Sequence, residues 1–87
     1  MKLLLLASKM EHVLQFAEEF DLIHYKPILR RWDLYGYGSN TFIIRVSEPR
    51  EDVQKFLSLH PMLTVLEPED PRAQYLLLRS RELDVQP

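Results

Sequence analysis

The chain has 87 residues, of which 46% are hydrophobic and 28% charged, the proportions of one folded domain and not of a disordered chain. A formal net charge of −2 leaves no overall field to draw in nucleic acid or an anionic membrane. The absence of cysteine excludes disulfides, thiolate nucleophiles and cysteine-held metals, and fits an expected cytoplasmic location.

The opening MKLLLLASK has an apolar core shorter than the ~7–15 residues of a signal peptide, so Met1 is expected to begin a strand. Residues 2–7 form an apolar run too short for a helix and read as a buried central strand. Ser8-Lys9-Met10-Glu11 has the S-x-x-E form of a capping box and opens a helix whose apolar stripe is Met10, Val13, Leu14, Ala17 and Phe20. No run reaches the ~18 apolar residues of a membrane span.

Pro27 cannot donate a ladder hydrogen bond, which places the strand beginning near Ile28 at a sheet edge. The chain's two glycines, Gly36 and Gly38, lie in WDLYGYGSNTF. Parity of the alternating residues favours a hairpin closed by Gly38-Ser39-Asn40, with Asn40 tolerating a left-handed backbone. Trp32, Leu34, Phe42, Ile44 and Val46 then face the core. Asp33, Tyr35, Tyr37, Ile43 and Arg45 face outward, Asp33 opposite Arg45.

Ser47-Glu48-Pro49 starts a second helix with proline in its first turn, and Val53, Phe56 and Leu57 mark its buried side. His60-Pro61 ends it, and residues 62–66 form a short strand closed by Pro68. Asp70-Pro71 opens a tail that reads as a helix with Ala73, Leu76, Leu77 and Leu83 in a stripe; a strand over residues 75–78 is the alternative.

The order strand, helix, strand, strand, helix, strand predicts a ferredoxin-like βαββαβ sandwich. A four-stranded antiparallel sheet would carry two helices on one face, with residues 1–70 as the domain and 71–87 as a C-terminal extension. The other face of such a sheet is open. It would present Arg31, Asp33, Tyr35, Tyr37, Ile43 and Arg45 as a binding surface, joined by Tyr75 and Leu76 of the tail, and exposed leucines of the first strand would mark it for contact.

Enzymatic chemistry is not supported. Gly36-x-Gly38 is followed by a strand, where a dinucleotide fingerprint needs a helix. The histidines His12, His24 and His60 are scattered, with no carboxylate at a ligand spacing, so no metal site is expected. There is no G-x-S-x-G elbow and no serine expected near a histidine. Glu51 and Asp52 complement a helix dipole. No cofactor is implied.

Residues 41–72 carry Phe56-Leu57 at a helix end and then Val65-Leu66-Glu67-Pro68 leading to Arg72 and a final helix. This resembles the WCX domain, the C-terminal extension of bacterial WYL-type transcriptional regulators. The resemblance implies a ferredoxin-like fold and a regulatory module that mediates dimer contacts or senses an effector, with no catalytic residues. The chain lacks a helix-turn-helix and a WYL segment, so DNA binding does not carry over.

The expected function is a small non-enzymatic regulatory or adaptor domain acting by protein–protein association, with itself as a homodimer or with another protein. An ACT-like module sensing a small ligand is one alternative. Single-stranded nucleic-acid binding on the sheet face is the other; it is disfavoured because GYGSNTFIIRV lacks the RNP pattern.

Overall fold

All four leucines of the first strand, β1 (Leu3–Leu6), are buried, and Ala7 after it is buried too. A strand that is apolar on both sides has to be covered on both sides, and the rest of the chain is arranged to do so. The computed structural model describes residues 3–85, with side chains as far as residue 80. The strand expected at Met1 and Lys2, and the side chain of Leu83 in the tail's stripe, lie outside the described residues.

After β1 come the helix α1 (Met10–Glu19), the strand β2 (Tyr25–Ile28), a single 3-10 turn (Arg31–Leu34) and the strand β3 (Thr41–Arg45). The helix α2 (Glu51–Leu59), the strand β4 (Leu63–Leu66) and the helix α3 (Pro71–Val85) complete the order. The strands form one sheet in the order β2-β1-β3-β4, and every neighbouring pair is parallel. Leu4 lies beside both Lys26 and Ile43, and Ile44 beside Leu66.

Connections toward β4 cross one face of the sheet and the connection toward β2 crosses the other, as right-handed crossovers require. On one side Val13, Phe16 and Ala17 of α1 and Ala73 and Leu77 of α3 pack on Leu3, Leu5, Ile44 and Leu66. On the other, Val53 of α2 and Leu34 of the 3-10 turn pack on Leu4, Leu6, Ile28 and Ile43. The result is a three-layer, doubly wound α/β arrangement.

This overturns the antiparallel ferredoxin-like sandwich and its open face. The chain around Trp32 is not a hairpin strand: residues 31–34 curl into the 3-10 turn and β3 pairs with β1. Ile43, expected on the outside, is 0% exposed because it faces α2, whereas Phe42, expected inside, is 41% exposed. Asp33 does not oppose Arg45. Its carboxylate accepts the amides of Leu29 and Arg30, both at 3.0 Å, and fixes the bend out of β2. Gly36 (φ 91°) and Asn40 (φ 67°) supply the left-handed residues of the loop into β3.

Other local expectations hold in part. The first helix starts at Met10, one residue later than a Ser8 cap would place it, and no side-chain cap forms; the Ser8 amide instead donates to Ser47 Oγ at 3.3 Å. Met10 and Leu14 of its expected stripe are exposed, and Phe16 is buried in their stead. At its end Asp21 (φ 54°) turns left-handed, and the Leu22 amide reaches back to the Ala17 carbonyl at 2.8 Å. Pro49 is buried just ahead of α2 rather than inside its first turn. Pro27 does sit in an edge strand, β2, within the strand itself, and the tail is the expected helix. Asp70 Oδ1 accepts the Arg72 amide at 2.9 Å and so caps α3.

Two outcomes test this architecture. Ile43→Asp places a charge in the core and should abolish cooperative urea unfolding, whereas Tyr35→Asp should change stability by no more than about 0.5 kcal/mol; equal tolerance of both contradicts the parallel sheet. The hydrogen bonds from the Arg72 side chain and amide hold the Asp70 carboxyl below its usual value near 3.8. Its contribution to stability is therefore present above that pH and lost as pH falls through the depressed value. An NMR titration of Asp70 should show a midpoint below 3.8 that rises toward it in Arg72→Ala.

Candidate functional site

The eight residues expected to form one surface are divided among four places. Arg31 and Tyr35 are exposed on the α2 side of the sheet, with Asp33 and Tyr37 half-buried beneath them. Ile43 is in the core. Arg45 ends β3 and pairs with Glu67 at 3.3 Å. Tyr75 and Leu76 belong to α3, in the opposite layer.

Around Arg31 and Tyr35 the fold gathers an aromatic surface that the sequence pattern did not reveal. The 3-10 turn exposes Trp32 (54%) and leads to Tyr35 (57%). The Tyr35 ring lies 5.5 Å from that of Phe56 on α2, and Phe56 stacks on His60 at 4.0 Å. His60 is held by its Nδ1 at 2.8 Å from the Phe56 carbonyl. Arg31, Glu51, Asp52, Lys55, Phe56 and Leu59 line a shallow recess of about 530 Å3, and Leu59 is 76% exposed. The Arg30 guanidinium lies 5.3 Å from the Trp32 ring, within cation–π range.

The platform beneath is polar and fixed. Lys26 Nζ donates to the Asp33 carbonyl at 3.1 Å and to the Tyr37 hydroxyl at 3.4 Å, and lies 5.0 Å from the Tyr37 ring centroid. Together with the Asp33 carboxylate, these bonds tie the 3-10 turn to β2. Trp32 and Tyr35 thus project from a braced segment and not from a free loop.

A second place is the crevice at the carboxyl ends of β1 and β3, where the following helices depart to opposite faces; open parallel sheets commonly bind ligands there. Here it is strapped. Ser47 Oγ takes the Ser8 amide and lies 2.9 Å from His12 Nδ1, while Arg50 Nε donates to the Ser8 carbonyl at 3.2 Å. Contrary to expectation, a serine and a histidine do meet. Among the described residues no carboxylate holds the other ring nitrogen, as a nucleophilic triad requires. The hydroxyl is used to join β1, β3 and α1.

No group of histidines and acids able to hold a metal occurs among the described residues, and no described helix is long and apolar enough to cross a membrane. Comparison with protein-family models, with curated proteins and with solved structures finds no match to this chain.

The strap makes a measurable prediction. Ser47→Ala removes a partner from both the Ser8 amide and His12, and should cost about 1–2 kcal/mol in urea unfolding. Hydrogen exchange at the Ser8 amide should rise with it, and an unchanged rate there would show that the bond carries no load.

Proposed function

We propose that this chain is a non-enzymatic docking domain that associates with another protein through the surface of Trp32, Tyr35, Phe56 and Leu59, rimmed by Arg30 and Arg31. The observation that carries this is the exposure of large apolar groups on a braced segment and at the end of the neighbouring helix: Trp32, Tyr35 and Leu59 each keep more than half of their surface in water. Tryptophan, tyrosine and arginine are the residues most enriched at the energetic centres of protein interfaces. Side chains already held in place lose little freedom on binding, so more of the burial energy remains as affinity.

The alternatives have less support. Stacking of nucleobases on a bare sheet needs an open face, and both faces of this sheet are covered. A small-ligand sensor would use the crevice between β1 and β3, which the Ser47 hydrogen bonds bridge. The regulatory role implied by the resemblance to WCX domains is compatible with docking, although the ferredoxin-like fold it implied is not the one adopted.

A photo-crosslinking amino acid placed at Tyr35 should capture a defined protein in the cells of origin that the same group at Ser39, exposed in the loop into β3, does not. For that protein, Trp32→Ala should weaken binding by about 2 kcal/mol, roughly thirtyfold, with the melting temperature nearly unchanged. Equal capture from both positions removes the reading.

A further inference from the structure

The layer on the other side of the sheet contains a groove that the aromatic surface does not use. Helices α1 and α3 both rest on the sheet face formed by Leu3, Leu5 and Ile44, yet two recesses open beside them. One, of about 270 Å3, runs along α1 past Gln15, Phe16 and Glu19 to Val46. The other, of about 380 Å3, lies between Phe20 and the start of α3, with Glu69, Gln74, Leu77 and Leu78 in its wall. Phe16 lines the first and Phe20 the second, and their rings are 4.5 Å apart, so the two recesses adjoin across this ring pair and together make one shallow groove.

The groove has an apolar floor and an acidic rim. Leu78 at its wall is 55% exposed. Each half contributes a carboxylate, Glu19 or Glu69, and neither is lined by lysine or arginine; His12, at one end, is held against Ser47. Arg72, at the start of α3, is already paired with Asp70. Glu11 and Glu18 add further negative charge along α1.

We propose that this groove is a second docking site and that its occupant is a basic amphipathic helical segment of a partner protein. A helix laid between α1 and α3 would bury its apolar stripe on Phe16, Phe20, Leu77 and Leu78 and set lysines or arginines against Glu19 and Glu69. The opposite sheet face carries the aromatic surface, where Arg31 and Lys55 stand beside Glu51 and Asp52, so one small domain presents a mixed-charge surface and an acidic one to two different chains. That is the geometry of an adaptor, and it goes beyond docking at the aromatic surface alone.

The test uses the full chain and a fluorescein-labelled 14-residue model peptide of leucine and lysine in helical amphipathic order, read by anisotropy at low and at physiological salt. Saturable binding is expected, weaker at the higher salt. Glu19→Lys with Glu69→Lys, and separately Leu78→Asp, should each weaken it by about tenfold or more, whereas Tyr35→Asp should leave it unchanged and so separates this site from the aromatic surface. Circular dichroism checks that the variants fold; all four positions are exposed.

A peptide of the same composition with its helical pattern scrambled should bind at least about tenfold more weakly. Absence of saturable binding, equal binding of the scrambled peptide, or indifference to the charge reversals overturns the proposal. So does a concentration-dependent dimer in sedimentation equilibrium that Leu78→Asp abolishes, because the groove would then be filled by a second copy.

Discussion

The fold depends on one constraint, the burial of β1 on both faces and along both edges. Four leucines in succession point alternately up and down, and β2 and β3 take the hydrogen bonds on either side. Neither face can be left to water, so helices must leave the sheet in both directions. Parallel pairing follows, because each crossover has to return over a face before the next strand begins. The two apolar clusters are the two sides of this one strand, with Leu3 and Leu5 in one and Leu4 and Leu6 in the other.

The two candidate surfaces are consequences of the same layering. A 3-10 turn covers the α2 side of the sheet near β2, where a full helix would cover more. Leu34 fills the core there, while Trp32 and Tyr35 keep more than half of their surface in water. On the opposite side α1 and α3 lie over β1 and its neighbours without closing the space between them. Each layer therefore leaves part of its surface uncovered, with Trp32 and Tyr35 at one gap and Leu78 at the other.

Much of this was legible in the chain. The helices over 10–19 and 51–59, the strand over 63–66, the Asp70-Pro71 helix start and the left-handed Asn40 were all readable from local signals. The sheet's direction was not. Cross-strand parity was satisfied by a hairpin around Gly38, yet parity holds for any two alternating segments and cannot distinguish a hairpin partner from a distant one. The informative signal was the two-sided apolar run at residues 3–7, which belongs to a strand covered on both faces. Asp33 shows the competing physics, since its carboxylate stabilises a turn where alternation alone reads a strand. The aromatic surface was half legible: Arg31 and Tyr35 were expected in it, but Phe56 and Leu59 join only through tertiary packing.

The sheet's two rims are chemically unequal. The Ile28 carbonyl accepts the Ala7 amide across β1, so by alternation Ile28 and Lys26 turn their backbone groups inward and Pro27 turns outward, where it has no proton to offer. The far rim, Leu-Thr-Val-Leu in β4, has no such block. Any strand that extends this sheet, whether from a fused segment, a swapped copy or the seed of an aggregate, finds a template at β4 and is refused at β2. Lengthening of the sheet is therefore favoured at the β4 rim over the β2 rim.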